Sequence, residues 1–164
     1  MIAACAAASA GCNLGGTSAG PAIGDACLVG SWSLDHEVNQ SGWSYSNVPV
    51  AVSGLGGAHL RLGADGTETE SFAGSQPLVG TLADGRVLSI SLGGSYTFHL
   101  HADGHRYVES GTDTPLPVEA TLSGVAIPGY RGSYTPGTGT YVCSQRNLTT
   151  TTSSDVQTDT WVRN

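Results

Sequence analysis

Three histidines, His99, His101 and His105, lie close enough in sequence to be considered as metal ligands. Alternate residues of a β-strand share one face, so His99 and His101 would point the same way. The hairpin pairing derived below puts His105 on the other face. A closed zinc site needs four ligands, and no cysteine or carboxylate cluster is available to complete one. The sequence therefore predicts no metal site, and no other cofactor is expected.

Acid/base or nucleophilic catalysis would need partners that this sequence does not place together. Asp35 and Glu37 share a strand face, but at the end of a first strand we expect both to be solvated. Residues 16–20, Gly-Thr-Ser-Ala-Gly, match the serine hydrolase pattern G-x-S-x-G, which functions only on a turn between a strand and a helix. No such turn is predicted there, and no His-Asp pair can be placed beside a hydroxyl. We therefore predict no catalytic residue and a protein that is not an enzyme.

The four cysteines, Cys5, Cys12, Cys27 and Cys143, allow three pairings into two disulfides. Cys5 and Cys12 lie in a leader rich in Ala, Gly and Ser. Cys27 and Cys143 stand at opposite ends of the part predicted to fold, each beside strand-like sequence. We predict a Cys27–Cys143 disulfide, which would indicate an oxidising compartment; two unrelated buried thiols are the alternative.

Residues 1–26 are predicted to be the remnant of an export signal followed by a flexible linker. The tetrapeptide Ile-Ala-Ala-Cys ending at Cys5 fits the bacterial lipobox, an aliphatic and two small residues before a lipidated cysteine. The one ending at Cys12 lacks the aliphatic residue, so Cys5 is the predicted lipidation site; an unprocessed Ala-rich start is the alternative. We therefore expect an extracytoplasmic protein, secreted or lipid-anchored at the bacterial cell envelope.

The composition is poor in charge and rich in glycine. Charged residues make up 12% of the chain, and its 24 glycines favour short strands and tight turns over helices. The formal net charge is −7, and no arginine cluster is present to neutralise phosphates. We therefore expect no nucleic-acid partner, no membrane contact except through a lipid anchor, and a monomer.

The tripeptide Ala-Asp-Gly occurs at equal spacing at residues 64–66, 83–85 and 102–104. Asp-Gly is a preferred pair for two-residue hairpin turns, so three hairpins of equal size are predicted in succession. Such a series is an up-and-down meander, and closing it removes the exposed sheet edges. The predicted fold is all-β, an up-and-down antiparallel β-barrel of roughly 8–10 strands over residues 27–164. Further strands are expected at residues 28–38, 118–123, 138–144, 146–152 and 156–163, with a long loop at residues 124–139.

The turns also predict which residues pair. The third hairpin gives the pairs Ala102–His105, Leu100–Tyr107 and Phe98–Glu109. In the first hairpin, Arg61 lies opposite Glu70 as an ion pair. The second hairpin groups Val79 with Leu88, Ile90 and Leu92.

The inner faces of these hairpins are the predicted lining of the barrel interior. Six apolar or aromatic residues are assigned to it: Leu60, Leu62, Ile90, Phe98, Leu100 and Tyr107. An eight-stranded barrel can be filled by its side chains or hold one small ligand. A small hydrophobic ligand is the predicted occupant; the alternative is a ligand-free envelope module that acts through its surface.

The two ends of this region carry a family resemblance. Residues 28–32, Leu-Val-Gly-Ser-Trp, open the first strand, and residues 160–163, Thr-Trp-Val-Arg, end the last. This pair of ends resembles the lipocalins and fatty-acid-binding proteins, in which an indole closes one end of the barrel under a basic side chain. The resemblance implies that Trp32 and Arg163 fill these roles, with a cation–π contact between them.

A second likeness is to small lipocalin-like lipoproteins of actinobacteria. These proteins begin with Cys-Leu-Val-Gly-x-Trp and end with Tyr-x-Cys, a Leu-Thr pair and Trp-x-Arg. The corresponding residues here begin at Cys27 and include Cys143, Leu148-Thr149 and Arg163. The likeness implies an exported lipocalin-like barrel.

Overall fold

The computed structural model describes residues 23–153 and 156–164, and nearly all of its regular structure is β-strand. In chain order the strands are β1 (Gly30–Tyr45), β2 (Val48–Gly54), β3 (His59–Leu62), β4 (Thr67–Ser71), β5 (Leu78–Thr81), β6 (Val87–Leu92), β7 (Ser95–Asp103), β8 (Arg106–Ser110), β9 (Thr114–Leu116), β10 (Val118–Leu122), β11 (Val125–Ala126), β12 (Gly132–Tyr134), β13 (Thr138–Cys143), β14 (Asn147–Thr152) and β15 (Gln157–Arg163). Within the described part of the chain, no helix is long and apolar enough to span a membrane.

Eight strands close into a barrel. Around the ring their order is β1, β3, β4, β7, β8, β13, β14 and β15, and β15 pairs back with β1. Every neighbouring pair is antiparallel, and the order around the ring is the order in the chain. The predicted all-β, up-and-down barrel is therefore confirmed.

The remaining strands are insertions into this meander. The first residues of β1 pair with β3 and its later residues pair with β2, while residues 37–39 still pair with β15 of the ring on the other side. From β2 a side sheet continues through β5, β6, β10 and β11, and β9 and β12 form a separate pair. The second Asp-Gly hairpin, β5–β6, therefore belongs to the side sheet. Its predicted place in the barrel was wrong, because equal spacing reports a repeated turn and not a shared sheet.

The additional strands follow their predictions closely. Strands β10, β13, β14 and β15 each begin and end within one residue of the predicted bounds. Strand β1 extends further than expected, to Tyr45. The segment predicted as a loop contains the short strands β11 and β12.

The first two Asp-Gly turns are longer than predicted. The Gly66 N–H donates to the Gly63 carbonyl at 3.0 Å, and the Gly63 N–H donates to the Thr67 carbonyl at 2.8 Å. Gly66 has a φ of 87° and Gly85 a φ of 83°, whereas the preceding aspartates do not have positive φ. This is a type I turn followed by a glycine bulge, which adds a residue to the loop.

The longer turn overturns the predicted Arg61–Glu70 pair. Arg61 lies opposite Thr69, while Leu60 lies opposite Glu70 and Leu62 opposite Glu68. A slip of one residue exchanges the two faces of a strand. Both glutamates of β4 therefore point into the barrel with the leucines.

The second hairpin is displaced in the same way. Leu78 lies opposite Ile90, whereas Val79 lies opposite Ser89 on the other face and is 41% exposed. The predicted grouping of Val79 with the apolar residues of β6 was wrong for the same reason, the extra loop residue at Gly85.

The third hairpin pairs differently but keeps its faces. Its loop is Gly104-His105, so Leu100 lies opposite Glu109 rather than Tyr107. Because the pairing is shifted by two residues, and side chains in a strand alternate with a period of two, Leu100, Tyr107 and Glu109 remain on the inner face. His105 lies in the exposed loop, not on that face as predicted. The predicted pairs Ala102–His105 and Phe98–Glu109 are wrong in register too.

Trp32 closes one end of the barrel and is fully buried. Its indole N–H donates to the Leu28 carbonyl at 3.0 Å. The guanidinium carbon of Arg163 lies 4.1 Å from the centre of the Trp32 ring. Arg163 also donates to the carbonyls of Val29 at 3.0 Å and Gln145 at 2.9 Å. The two residues expected to meet are therefore in contact and join the first strand to the last.

Replacing Arg163 with alanine should lower the free energy of unfolding by about 2 kcal/mol. The change removes a cation–π contact, worth about 0.5–2 kcal/mol, and leaves carbonyl groups without their charged donor. Urea denaturation measures the effect. Arg106→Ala, at an exposed position of β8, is the control and should change the stability by no more than about 0.5 kcal/mol. Equal losses in the two variants would contradict a structural role for Arg163.

Cys27 and Cys143 form a disulfide, with their Cα atoms 6.1 Å apart, as predicted. The bond attaches the segment that enters the barrel to the end of β13. Arg163 donates a further hydrogen bond to the Cys27 carbonyl, so the disulfide adjoins the Trp32 end of the barrel. The predicted lipidation site, Cys5, lies outside the described residues, as does most of the predicted leader, residues 1–26.

Candidate functional site

A cavity of about 570 Å³ lies beyond the barrel interior, along the part of β1 that follows Trp32. Its walls come from barrel strands β1, β8, β14 and β15, from apolar side chains beside the side sheet such as Leu55 and Phe72, and from residues 129–135 around β12. Cavities of about 300–1,000 Å³ are typical of sites for small organic ligands. The size is therefore suited to such a molecule.

A second, inner cavity of about 30 Å³ lies within the barrel. It shares four wall residues with the larger cavity, Tyr107, Glu109, Tyr134 and Asp159, so the two spaces adjoin. A volume of this size accommodates one or two groups the size of a water molecule.

The predicted lining residues are only partly found at these cavities. Four of them line the inner cavity: Leu60, Leu62, Leu100 and Tyr107. Phe98 is buried against Tyr96, with ring centres 4.8 Å apart, and lines neither cavity. Ile90 is fully buried on β6, outside the ring, because the second hairpin belongs to the side sheet.

Five carboxyl side chains line the two cavities, and none was predicted as a site residue. They are Glu37 of β1, Glu68 and Glu70 of β4, Glu109 of β8, and Asp159 of β15. We refer to these five residues as the acidic cluster. Four are buried and Glu109 is half-buried. Among the described residues that line the cavities, Arg131 is the one basic side chain, and it is exposed.

The members of the acidic cluster on β1 and β15 are held by amide side chains. Asn39 donates to a Glu37 oxygen at 3.3 Å. Gln157 donates to the two oxygens of Asp159 at 3.2 and 3.0 Å, and the Thr150 hydroxyl donates at 3.4 Å. These partners fix the positions of both carboxyl groups without neutralising their charge.

The other three members, Glu68, Glu70 and Glu109, are held differently. The Tyr96 hydroxyl donates to Glu70, and the Gly137 N–H donates to Glu109 at 2.8 Å. Glu68 is 5% exposed, and its Oε2 atom is buried without a hydrogen-bond partner among the described residues. An unpartnered buried oxygen is unusual in a folded protein and needs an explanation. Glu68 therefore has an unused acceptor facing the inner cavity.

Burial raises the pKa of every carboxyl group in the acidic cluster, because an apolar environment disfavours the charged form. The pKa of Glu37 rises to about 7. The pKa values of Glu68, Glu70 and Asp159 rise well above their usual range, and repulsion between the carboxyl groups adds to the effect of burial. Burial also raises the pKa of Glu109. Burial therefore favours the protonated, neutral form of these carboxyl groups over the ionised form.

Aromatic rings flank the acidic cluster and the larger cavity. Tyr134 stacks on Tyr96, with ring centres 4.0 Å apart and an interplanar angle of 20°. Trp43 and Tyr130 lie nearly parallel at 6.3 Å, and the Tyr130 hydroxyl donates to the Ser44 carbonyl at 2.7 Å. The site therefore combines flat apolar surfaces with buried carboxyl groups.

A β-bulge in β1 explains the position of Glu37. Leu34 lies opposite Trp161 and His36 opposite Thr160, so Asp35 is an extra residue in the ladder. A bulge changes which residues face inward beyond it. Asp35 is exposed as expected, but the expectation that Glu37 is solvated was wrong. The available sequence signal was the alternation of Glu with Thr in β4, which puts Glu68 and Glu70 on one face.

The histidines considered as metal ligands lie away from the cavities. His99 and His101 share the outer face of β7 and are exposed. The described residues contain no group of three or more His, Cys, Asp or Glu side chains placed to hold a metal ion.

Comparison with protein-family models, curated proteins and solved structures finds no match for this chain. The closed eight-stranded barrel is compatible with a lipocalin-like fold.

Proposed function

We propose that this protein is a binding barrel that holds a small organic molecule in the larger cavity. The observation that carries the proposal is the 570 Å³ space at the mouth of the barrel, which adjoins buried polar groups. Ligand sites typically combine an apolar or aromatic wall with a few fixed polar groups. Trp43, Tyr130 and Phe72 supply such a wall, and the acidic cluster supplies the polar groups.

The predicted hydrophobic ligand fits one part of this site. The aromatic wall suits an apolar body, whereas a wholly apolar molecule would leave the carboxyl groups at the cavity floor without partners. We therefore propose a ligand with an apolar body and a polar group. A barrel that acts only through its surface would be expected to fill such a space with side chains, as protein interiors normally do.

We also propose that the protein functions outside the cytoplasm, as a lipocalin-like carrier that is secreted or anchored through Cys5. The Cys27–Cys143 disulfide supports an oxidising compartment, since disulfides form and persist in such environments. Cell fractionation of the native host tests this location: the protein should be found in the envelope or the medium, and recovery from the cytoplasm would contradict it.

The binding proposal predicts saturable uptake of a neutral apolar fluorophore. Titration with N-phenyl-1-naphthylamine should give a blue-shifted emission with one-site saturation at a Kd on the order of 1–100 µM. Leu92→Trp enlarges a half-buried side chain in the wall of the larger cavity and should weaken this binding at least about tenfold.

Ser91→Trp is the matched control, because Ser91 is exposed on β6 and lines neither cavity. It should bind the fluorophore as the unchanged protein does. Failure to saturate, or equal binding by both tryptophan variants, would contradict a ligand in this cavity.

A further inference from the structure

The acidic cluster is a costly feature for a barrel interior. An isolated buried carboxylate is strongly unfavourable, and apolar residues of similar volume would make a more stable core. Glu68, Glu70 and Asp159 are nevertheless all buried, and the described cavity walls contain no buried basic side chain to pair with them. The cluster therefore lacks the positive charge that its ionised form requires.

We propose, building on the binding function above, that the ligand is a small organic primary amine. Its protonated amino group occupies the inner cavity beside Glu68, Glu109 and Asp159. Its apolar or aromatic body lies in the larger cavity against Trp43 and Tyr130.

The unpartnered oxygen of Glu68 points to this head group. An ionised carboxylate only accepts hydrogen bonds, whereas a primary ammonium offers three donors. Oε2 of Glu68 is buried without a donor, and Glu68 lines the inner cavity. An ammonium group placed there would donate to Glu68 while its charge compensates the neighbouring carboxylates.

The two cavity sizes fit the two parts of such a ligand. The inner space of about 30 Å³ suits a group no larger than one or two water molecules, which is the size of a primary ammonium. The larger space of about 570 Å³ suits the body of the molecule. Because Glu109, Asp159 and Tyr134 border both spaces, one short ligand can reach from one to the other.

The aromatic residues favour an organic cation over other ions. Stacked rings such as Tyr96 and Tyr134 beside the cluster can face a cation with their electron-rich surfaces. A metal ion is not favoured, since the described residues contain no group of His, Cys, Asp or Glu side chains placed to hold one. An anionic ligand would be repelled by those of the carboxyl groups that are ionised.

The test compares three indoles of similar shape that differ in charge. Tryptamine is a protonated primary amine at pH 8, 3-ethylindole is neutral, and indole-3-propionate is an anion. Each is titrated into the intact chain and used to displace N-phenyl-1-naphthylamine. We expect tryptamine to bind at least about tenfold more tightly than 3-ethylindole, and indole-3-propionate to bind most weakly.

Amide variants of the shared wall residues separate charge from shape. Glu109→Gln and Asp159→Asn should each reduce the preference for tryptamine over 3-ethylindole at least about threefold and leave 3-ethylindole binding nearly unchanged. Glu119→Gln, at an exposed position of β10, is the control and should retain the full preference. Circular dichroism confirms that each variant remains folded.

Proton release gives a second measurement that a purely structural cluster would not produce. An ammonium that takes the place of carboxyl protons must displace some of them, so titration calorimetry in phosphate and in Tris should report net release. The titratable groups that line the inner cavity are Glu68, Glu70, Glu109, Asp159, Tyr96, Tyr107, Tyr134 and Tyr141, while Glu37 and Arg131 line the larger cavity.

Two outcomes would overturn the amine proposal while leaving the binding function intact. One is that N-phenyl-1-naphthylamine binds but tryptamine shows no advantage over 3-ethylindole. The other is that Ca²⁺ alone binds and prevents tryptamine binding, which would indicate a metal site. If neither the fluorophore nor any indole binds, the proposed binding function itself fails.

Discussion

Raising the pH from about 5 to about 8 should lower the free energy of unfolding by several kcal/mol. The folded protein raises the pKa of each carboxyl group in the acidic cluster, so over this range it binds more protons than the unfolded chain. Stability then falls as the pH rises above the unfolded pKa near 4.5 and continues to fall towards the folded pKa. For Glu37, a rise from 4.5 to about 7 corresponds to about 3 kcal/mol.

The pKa values of the other members of the acidic cluster are also raised, so these residues add to the decrease of the unfolding free energy with pH. For two exposed aspartates the pKa shift has the opposite sign, because their pKa values are lowered on folding. Hydrogen bonds and, for Asp84, a charged arginine lower the pKa of Asp65 and Asp84, so their contribution is lost only as the pH falls below about 4. We therefore expect the stability maximum at mildly acidic pH.

Urea denaturation across this pH range measures the slope of the unfolding free energy against pH. Asp159→Asn should flatten it, because the amide cannot ionise, and should raise the stability at pH 8 relative to the unchanged protein. Glu119→Gln, on the exposed face of β10, should leave the slope as it is. A stability that rises between pH 5 and 8 would show that the carboxyl groups are not buried as described.

Removing the disulfide should lower the free energy of unfolding by about 5 kcal/mol. Cys27 and Cys143 are separated by 116 residues, and closing so long a loop removes much of the conformational freedom of the unfolded chain. The variant Cys27→Ser/Cys143→Ser, made in a Cys5→Ser/Cys12→Ser background, avoids exchange with the other thiols.

Urea denaturation with and without reductant tests this value. The protein with the disulfide should lose about the same 5 kcal/mol when dithiothreitol is added, whereas the double serine variant should be insensitive to it. A small loss in the variant together with sensitivity to reductant would indicate that another pairing forms in solution.

The sequence was sufficient for those features of the fold that depend on periodicity and turn markers. Strands β10, β13, β14 and β15 were placed within one residue, and the disulfide was assigned correctly. The contact between Trp32 and Arg163 followed from a family resemblance at the two ends of the domain. Each of these features has a local sequence signal that survives small errors in register.

The inward orientation of Glu37, Glu68 and Glu70 could not be predicted because it depends on single extra residues. The bulge at Asp35 turns Glu37 inward, and the glycine bulge at Gly66 turns Glu68 and Glu70 inward. In a strand of period two, one residue decides between solvent and interior. Propensity favours solvent for a glutamate, so only the three-dimensional register reveals that these side chains are buried.

The closure of the barrel through β1 has a kinetic consequence. Strand β1 pairs with β3, which follows soon after it, and with β15, which is synthesised at the end of the domain. Pairing between segments so far apart in the chain is entropically slow, and such topologies fold in milliseconds to seconds rather than microseconds. Until β15 is available, one edge of β1 is open to intermolecular pairing. The interval before β15 docks on β1 is therefore the stage of expression at which this protein is most prone to aggregate.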